Sequence, residues 1–100
     1  MIRPTVARVD LAAIESNFSA ISAFLSAHSA SPLTPRESRL PPRESRLAPR
    51  VIAVVKANAY GHGASEIGLA LERAGAAMLA CADIEEGIVL RRAGVRIPIL

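Results

Sequence analysis

"VIAVVKANAYGHG", residues 51–63, joins a short apolar run to a lysine and then to a turn-prone segment. Val51 to Val55 is continuous, apolar and β-branched, a pattern that predicts a strand of a parallel sheet buried on both faces. Lys56 closes that run. Of the 12 basic residues in the chain it is the one lysine, and every other is arginine. An arginine is a permanently charged fork, whereas a lysine amine can be neutralised and can form an imine with a carbonyl compound. The residues that follow favour a tight loop: Gly61 and Gly63 permit close backbone geometry, and the Tyr60 hydroxyl is able to hold an anionic oxygen.

Downstream, the pattern predicts two more strand–helix units. Glu66 to Ala74 reads as a helix with Ile67, Ala70, Leu71 and Ala74 on one side and Gly75 as its stop. Ala77 to Ala82 is a second apolar run. Asp83, with Glu86 three residues on, reads as a capping-box-like start to another helix, which ends at Gly94. Val95 to Leu100 then opens a third strand. Both helices close on the same tripeptide, Arg73-Ala74-Gly75 and Arg92-Ala93-Gly94. Strand, helix, strand, helix, strand with short links predicts an α/β fold with a parallel sheet and crossover helices. A doubly wound sheet and an eight-stranded barrel both satisfy that pattern.

Upstream, Asp10 is placed to cap a helix from Leu11, with Leu11, Ile14, Phe18, Ile21 and Leu25 on one face. The helix is expected to fade between Ser26 and Ser31. Thr5 to Val9 reads as a short strand ahead of it. Between the first helix and Val51 lies an internal repeat, "PRESRL" at 35–40 and again at 42–47. Prolines at 35, 42 and 49 forbid a continuous helix there, so residues 33–50 read as an inserted, low-complexity surface loop.

The insertion also explains the charge. Leu33 to Arg50 holds five arginines against two glutamates, which is the whole net charge of +3, and the rest of the chain is neutral. Without aromatic or glycine interleaving, the segment does not read as a nucleic-acid-binding arm. At 100 residues and 51% hydrophobic, the sequence is core-forming, with a core of Ala, Val, Ile and Leu because aromatics are only 3%. No apolar run reaches membrane-spanning length and no signal-peptide core is present, so a cytoplasmic location and no membrane partner are expected. Cys81 is the only cysteine, which excludes an internal disulfide and a cysteine-based zinc site. It reads as a plain buried thiol, and no metal is expected.

Lys56 therefore stands at the carboxyl end of a buried strand, where strand-to-helix loops converge in parallel α/β folds and active sites are found. The plainer alternative is a lysine snorkelling from a strand end to water. There is no Gly-x-x-x-x-Gly-Lys-Ser/Thr, so the loop is not a nucleotide-binding P-loop. Imine formation is the chemistry that needs a single lysine, and desolvation at an apolar strand end favours the neutral amine a base requires. His62, between two glycines, reads as orienting the turn, and Asn58 as bracing it.

"AVVKANAYGHG", residues 53–63, resembles the pyridoxal-phosphate attachment motif of alanine racemases. "RPTVARVDLAAIESN" at 3–17, "ALERAGA" at 70–76, "IEEGIVLRRAG" at 84–94 and "IPIL" at 97–100 resemble the same family. The resemblance implies that residues 1–100 are the N-terminal part of a (β/α)8 barrel, incomplete here, with the insertion at 33–50 and a C-terminal β domain absent. It implies pyridoxal 5′-phosphate as cofactor, held by Lys56 as an imine, with Lys56 then acting as a catalytic base and Tyr60 bonding the cofactor phosphate. It further implies alanine as substrate and a homodimer at full length. The family's opposite-face tyrosine base and its arginine facing the pyridine nitrogen belong to later segments, so the 100-residue chain alone is expected to be inactive. Two alternatives stay open: a broader amino-acid racemase or D-amino-acid enzyme on the same barrel, and a non-catalytic protein that binds the cofactor.

Overall fold

The structure, a computed structural model, describes residues 4–28 and 50–100. The PRESRL repeat and most of the insertion lie outside the described residues. Helix α1, Leu11–His28, starts where expected: the Asp10 carboxylate accepts from the Ala13 N–H at 3.1 Å, satisfying one of the donors a helix start leaves unpaired. Its apolar face is buried at Phe18 and half-buried at Leu11, Ile14 and Leu25, but Ile21 and Phe24 are exposed. The helix therefore seats its first half on the core and carries its second half past it.

Strand β1, Ile52–Val54, pairs in parallel with β2, Met78–Ala80. The register sets Ile52 opposite Met78, Ala53 opposite Leu79 and Val54 opposite Ala80. The third strand shrinks to one bridge, Leu79 with Ile99, flanked by Leu79 N–H to Pro98 O at 3.0 Å and Leu100 N–H to Leu79 O at 2.8 Å. The Glu72 carboxylate holds this segment against its own helix, Ala64–Ala74, accepting from Arg96 N–H at 2.7 Å and Ile97 N–H at 3.1 Å. Those two backbone donors hold the Glu72 carboxyl below its ordinary range. The three segments run in sequence order with β2 in the middle, an order that an opening barrel shares with one half of a doubly wound sheet.

Helices α2, Ala64–Ala74, and α3, Ile84–Ala93, return the chain between these strands. Their repeated Arg-Ala-Gly endings build the same cap. Gly75 and Gly94 sit at φ 108° and 107°, and the following N–H closes on the helix, Ala76 to Leu71 O and Val95 to Leu90 O. Only a residue without a Cβ takes that left-handed position cheaply. The core lies between these helices and one face of the sheet: Val55, Ile67, Ala70, Leu79, Leu90 and Val95 are almost wholly buried. Gly68 allows the close approach, because a Cβ there would meet Leu90 Cδ2 at 2.9 Å and Leu79 Cδ1 at 3.2 Å.

Two expectations are corrected here. The run 51–55 is not buried on both faces: Ile52 and Val54 are 50% and 49% exposed, while Val51, Ala53 and Val55 pack on the core. Among the described residues, helices cover one sheet face only, so alternate residues of β1 remain open. Thr5 to Val9 is not a strand either. Residues 4–10 are exposed and belong to no ladder, and a strand forms only where a neighbour takes its backbone hydrogen bonds. Cys81 is half-buried rather than fully buried, with Sγ 3.3 Å from Asp83 O.

Candidate active site

At the carboxyl end of β1 the backbone changes hand. Lys56–Tyr60 is one helical turn, yet Ala57, Asn58, Ala59 and Tyr60 all have φ between 53° and 56°. It is a left-handed turn built without glycine. Each such residue costs about 1–2 kcal/mol against its right-handed form, so the turn needs external support.

That support is local on one side. Gly61 N–H donates to Ala57 O at 3.0 Å, His62 N–H to Ala59 O at 3.1 Å and Gly63 N–H to Asn58 O at 2.9 Å. The Asn58 side chain accepts from Ala64 N–H at 2.8 Å, tying the turn to the start of α2. His62 Nδ1 lies 2.9 Å from Ala59 O, a bond in which the carbonyl accepts and Nδ1 carries the proton. Asn58 and His62 thus do the bracing and orienting expected of them.

Support on the other side comes from a residue that the sequence placed in a cap and nowhere else. Asp83 caps α3 as expected, its carboxylate accepting from Glu86 N–H at 2.8 Å. Glu86 does not complete the box. One carboxylate oxygen accepts from Ala82 N–H at 2.6 Å, and the other crosses to Ala57 N–H at 2.9 Å. The capping spacing was the one signal in the sequence, and it gave no hint of a partner 29 residues away.

Lys56 is exposed, and so is Tyr60 at 59%. The desolvation expected of Lys56 is therefore not present among the described residues. Tyr60 and His62 line a groove of about 330 Å³ with Phe18 and Ile21 of α1 and Val54 of β1. A larger groove, about 540 Å³ beside α3, holds neither Lys56 nor Tyr60, and chemistry, not size, identifies the site. Among the described residues no cluster of His, Cys, Asp and Glu could hold a metal ion, and no helix is long and apolar enough to cross a membrane.

A family model described as the N-terminal domain of alanine racemase matches residues 42–100. The chain is 40% identical over 99 residues to an alanine racemase of Symbiobacterium thermophilum, covering 99% of this chain and 21% of that protein. It is 36% identical over 98 residues to an alanine racemase of Geobacter sulfurreducens, covering 98% and 20%. Alanine racemase 2 of Bacillus subtilis is 56% identical over 50 residues, covering 50% and 13%. The chain thus spans at most about a fifth of the length of these relatives.

Proposed function

This chain belongs to the alanine racemase family, in its N-terminal domain, and on that premise we propose that it is the cofactor-carrying part of a pyridoxal-phosphate-dependent alanine racemase. The observation that carries the proposal is the place of Lys56, the one lysine, where β1 ends and the left-handed turn begins.

The residues present fit the cofactor. A primary amine suits its aldehyde, an exposed phenol four residues on suits its phosphate, and both project from one hydrogen-bonded turn. Pyridoxal phosphate, when bound, supplies a ring that accepts electrons from the substrate's Cα and so makes that proton removable. Lys56 would hold the cofactor, and its amine would take or return the proton at Cα on one face of the substrate. Tyr60 would donate its hydroxyl hydrogen to a phosphate oxygen. Asn58 and His62 keep the two side chains on a fixed frame. An arginine at position 56 can do neither the anchoring nor the proton transfer.

The fold reading extends in the same way. Strands in sequence order, with returning helices on one face, suit the opening of a (β/α)8 barrel, whose interior would receive the open face of Ile52 and Val54. Residues 33–50 are then an insertion before β1, in a cytoplasmic homodimeric enzyme with a C-terminal β domain. Borohydride reduction of the full-length enzyme loaded with pyridoxal phosphate, followed by peptide mapping, should place the pyridoxyl group on Lys56. Lys56→Arg should abolish both the label and the interconversion of L- and D-alanine. A label on another residue, or a racemising Lys56→Arg variant, overturns the assignment.

A further inference from the structure

We propose that Glu86 is a positioning residue for Lys56, a clamp that fixes the peptide plane by which the lysine enters the left-handed turn. The inference rests on the reading of Lys56 given above and deepens it. The N–H of Ala57 belongs to the peptide bond that follows Lys56. Orienting that N–H therefore sets the backbone torsion of Lys56 itself, and with it the direction from which its side chain departs.

The need for a clamp follows from the geometry. The first N–H groups of a helical turn have no partner within it, and Ala59 is the first whose N–H bonds back, to Val55 O at 2.9 Å. The Ala57 N–H stands at the point where the chain leaves the sheet, Val55 having already turned to ψ 24°. Ala57 itself sits at φ 53°, ψ 50°, a conformation an alanine does not hold unaided. Glu86 provides the missing acceptor at 2.9 Å.

Glu86 is itself held in place. Its backbone N–H is bonded to the Asp83 cap, and its second oxygen accepts from Ala82 N–H in the loop just beyond β2. Both carboxylate oxygens are thus committed to backbone N–H groups just beyond two different strand ends, and bonds to a charged acceptor are the stronger kind. The carboxylate couples the ends of β1 and β2 at the edge where the chemistry is placed. A glutamine retains one acceptor oxygen and turns an NH2 toward the other N–H, so it can keep one of the two bonds and not both. Glu85, exposed on the same helical turn, takes part in neither bond.

The test compares Glu86→Gln with the parent and with Glu85→Gln, all as full-length enzyme. Three quantities are read: timed borohydride trapping of pyridoxal phosphate at Lys56, kcat and KM for alanine, and amide exchange at Ala57 and Leu79. A misdirected reacting group loses about tenfold to a hundredfold in rate. Glu86→Gln should therefore slow both trapping and kcat by about tenfold or more, with KM within about threefold. Ala57 exchange should quicken while Leu79, in the centre of the sheet, stays protected. Glu85→Gln should match the parent. Glu86→Asp, which keeps the charge but withdraws it by one methylene, should behave as Glu86→Gln does. Parental trapping and kcat in both Glu86→Gln and Glu86→Asp overturn the proposal, and so does loss of Leu79 protection in both variants, which would assign Glu86 to the fold and not to Lys56. A parent labelled elsewhere than Lys56 defeats the reaction assignment instead, while unaltered Ala57 exchange defeats the clamp by itself.

Discussion

Glu72 illustrates how much a single carboxylate on this chain does for backbone that has no ladder of its own. Its two bonds to the Arg96 and Ile97 N–H groups hold the third strand segment beside β2 and lower its pKa. The linkage sign follows. A group whose folded pKa is depressed contributes stability that is full above its unfolded value and is lost as pH falls through the folded one. The protein should therefore lose stability as pH drops below the ordinary glutamate range, and Glu72→Gln should remove part of that loss. Unfolding midpoints at pH 7 and pH 4 check it: the gap between parent and Glu72→Gln should narrow at the lower pH, and a gap independent of pH counts against it. Asn58, His62 and Asp83 were legible in the sequence because their partners lie within a few positions. Glu72 and Glu86 were not, because each bonds backbone 24 to 29 residues away, and nothing in spacing reports such a meeting.

Helices were legible where their ends carried chemistry. Asp10, Asp83, Gly75 and Gly94 mark boundaries within a residue or two, since caps are local solutions to unpaired backbone groups. The left-handed turn was less legible: the asparagine and glycines of residues 58–63 announce a turn, but Ala57 and Ala59 prefer the opposite hand, and only the surrounding bonds impose this one. The strand burial failed for a different reason, because periodicity describes which residues are apolar and not which sheet face is covered. Packing between elements yields its own prediction at Gly68. Adding a Cβ there gains about 1 kcal/mol of helix propensity, but it would meet the fully buried Leu90 at 2.9 Å and Leu79 at 3.2 Å, and overpacking costs about 1–3 kcal/mol. Gly68→Ala should be destabilised by about 1 kcal/mol net, measured as a shift of the urea midpoint; a stabilised variant would mean the two leucines can repack.

At the scale of the whole molecule, the described parts form one packed unit joined by a segment whose sequence is repetitive and proline-rich. Repetitive, proline-rich sequence is a poor source of core contacts, and a change in the length of a connection alters closure entropy only slowly. Deleting one PRESRL copy with its linking proline from the full-length enzyme should leave turnover unchanged and the melting temperature within about 2 °C. A larger fall in either would give the repeat a role in the fold or the reaction. The clamp between Ala57 and Glu86 also orders events in time. Those residues stand 29 positions apart, so at about 5–20 residues per second the ribosome delivers the carboxylate roughly one to six seconds after the amide it must meet. Until then only the bonds within residues 55–64 favour the left-handed turn. The last of the bonds that support its turn can form only when β2 and the start of α3 have emerged, so a nearly complete strand–helix–strand unit exists before the lysine segment has its full set of partners.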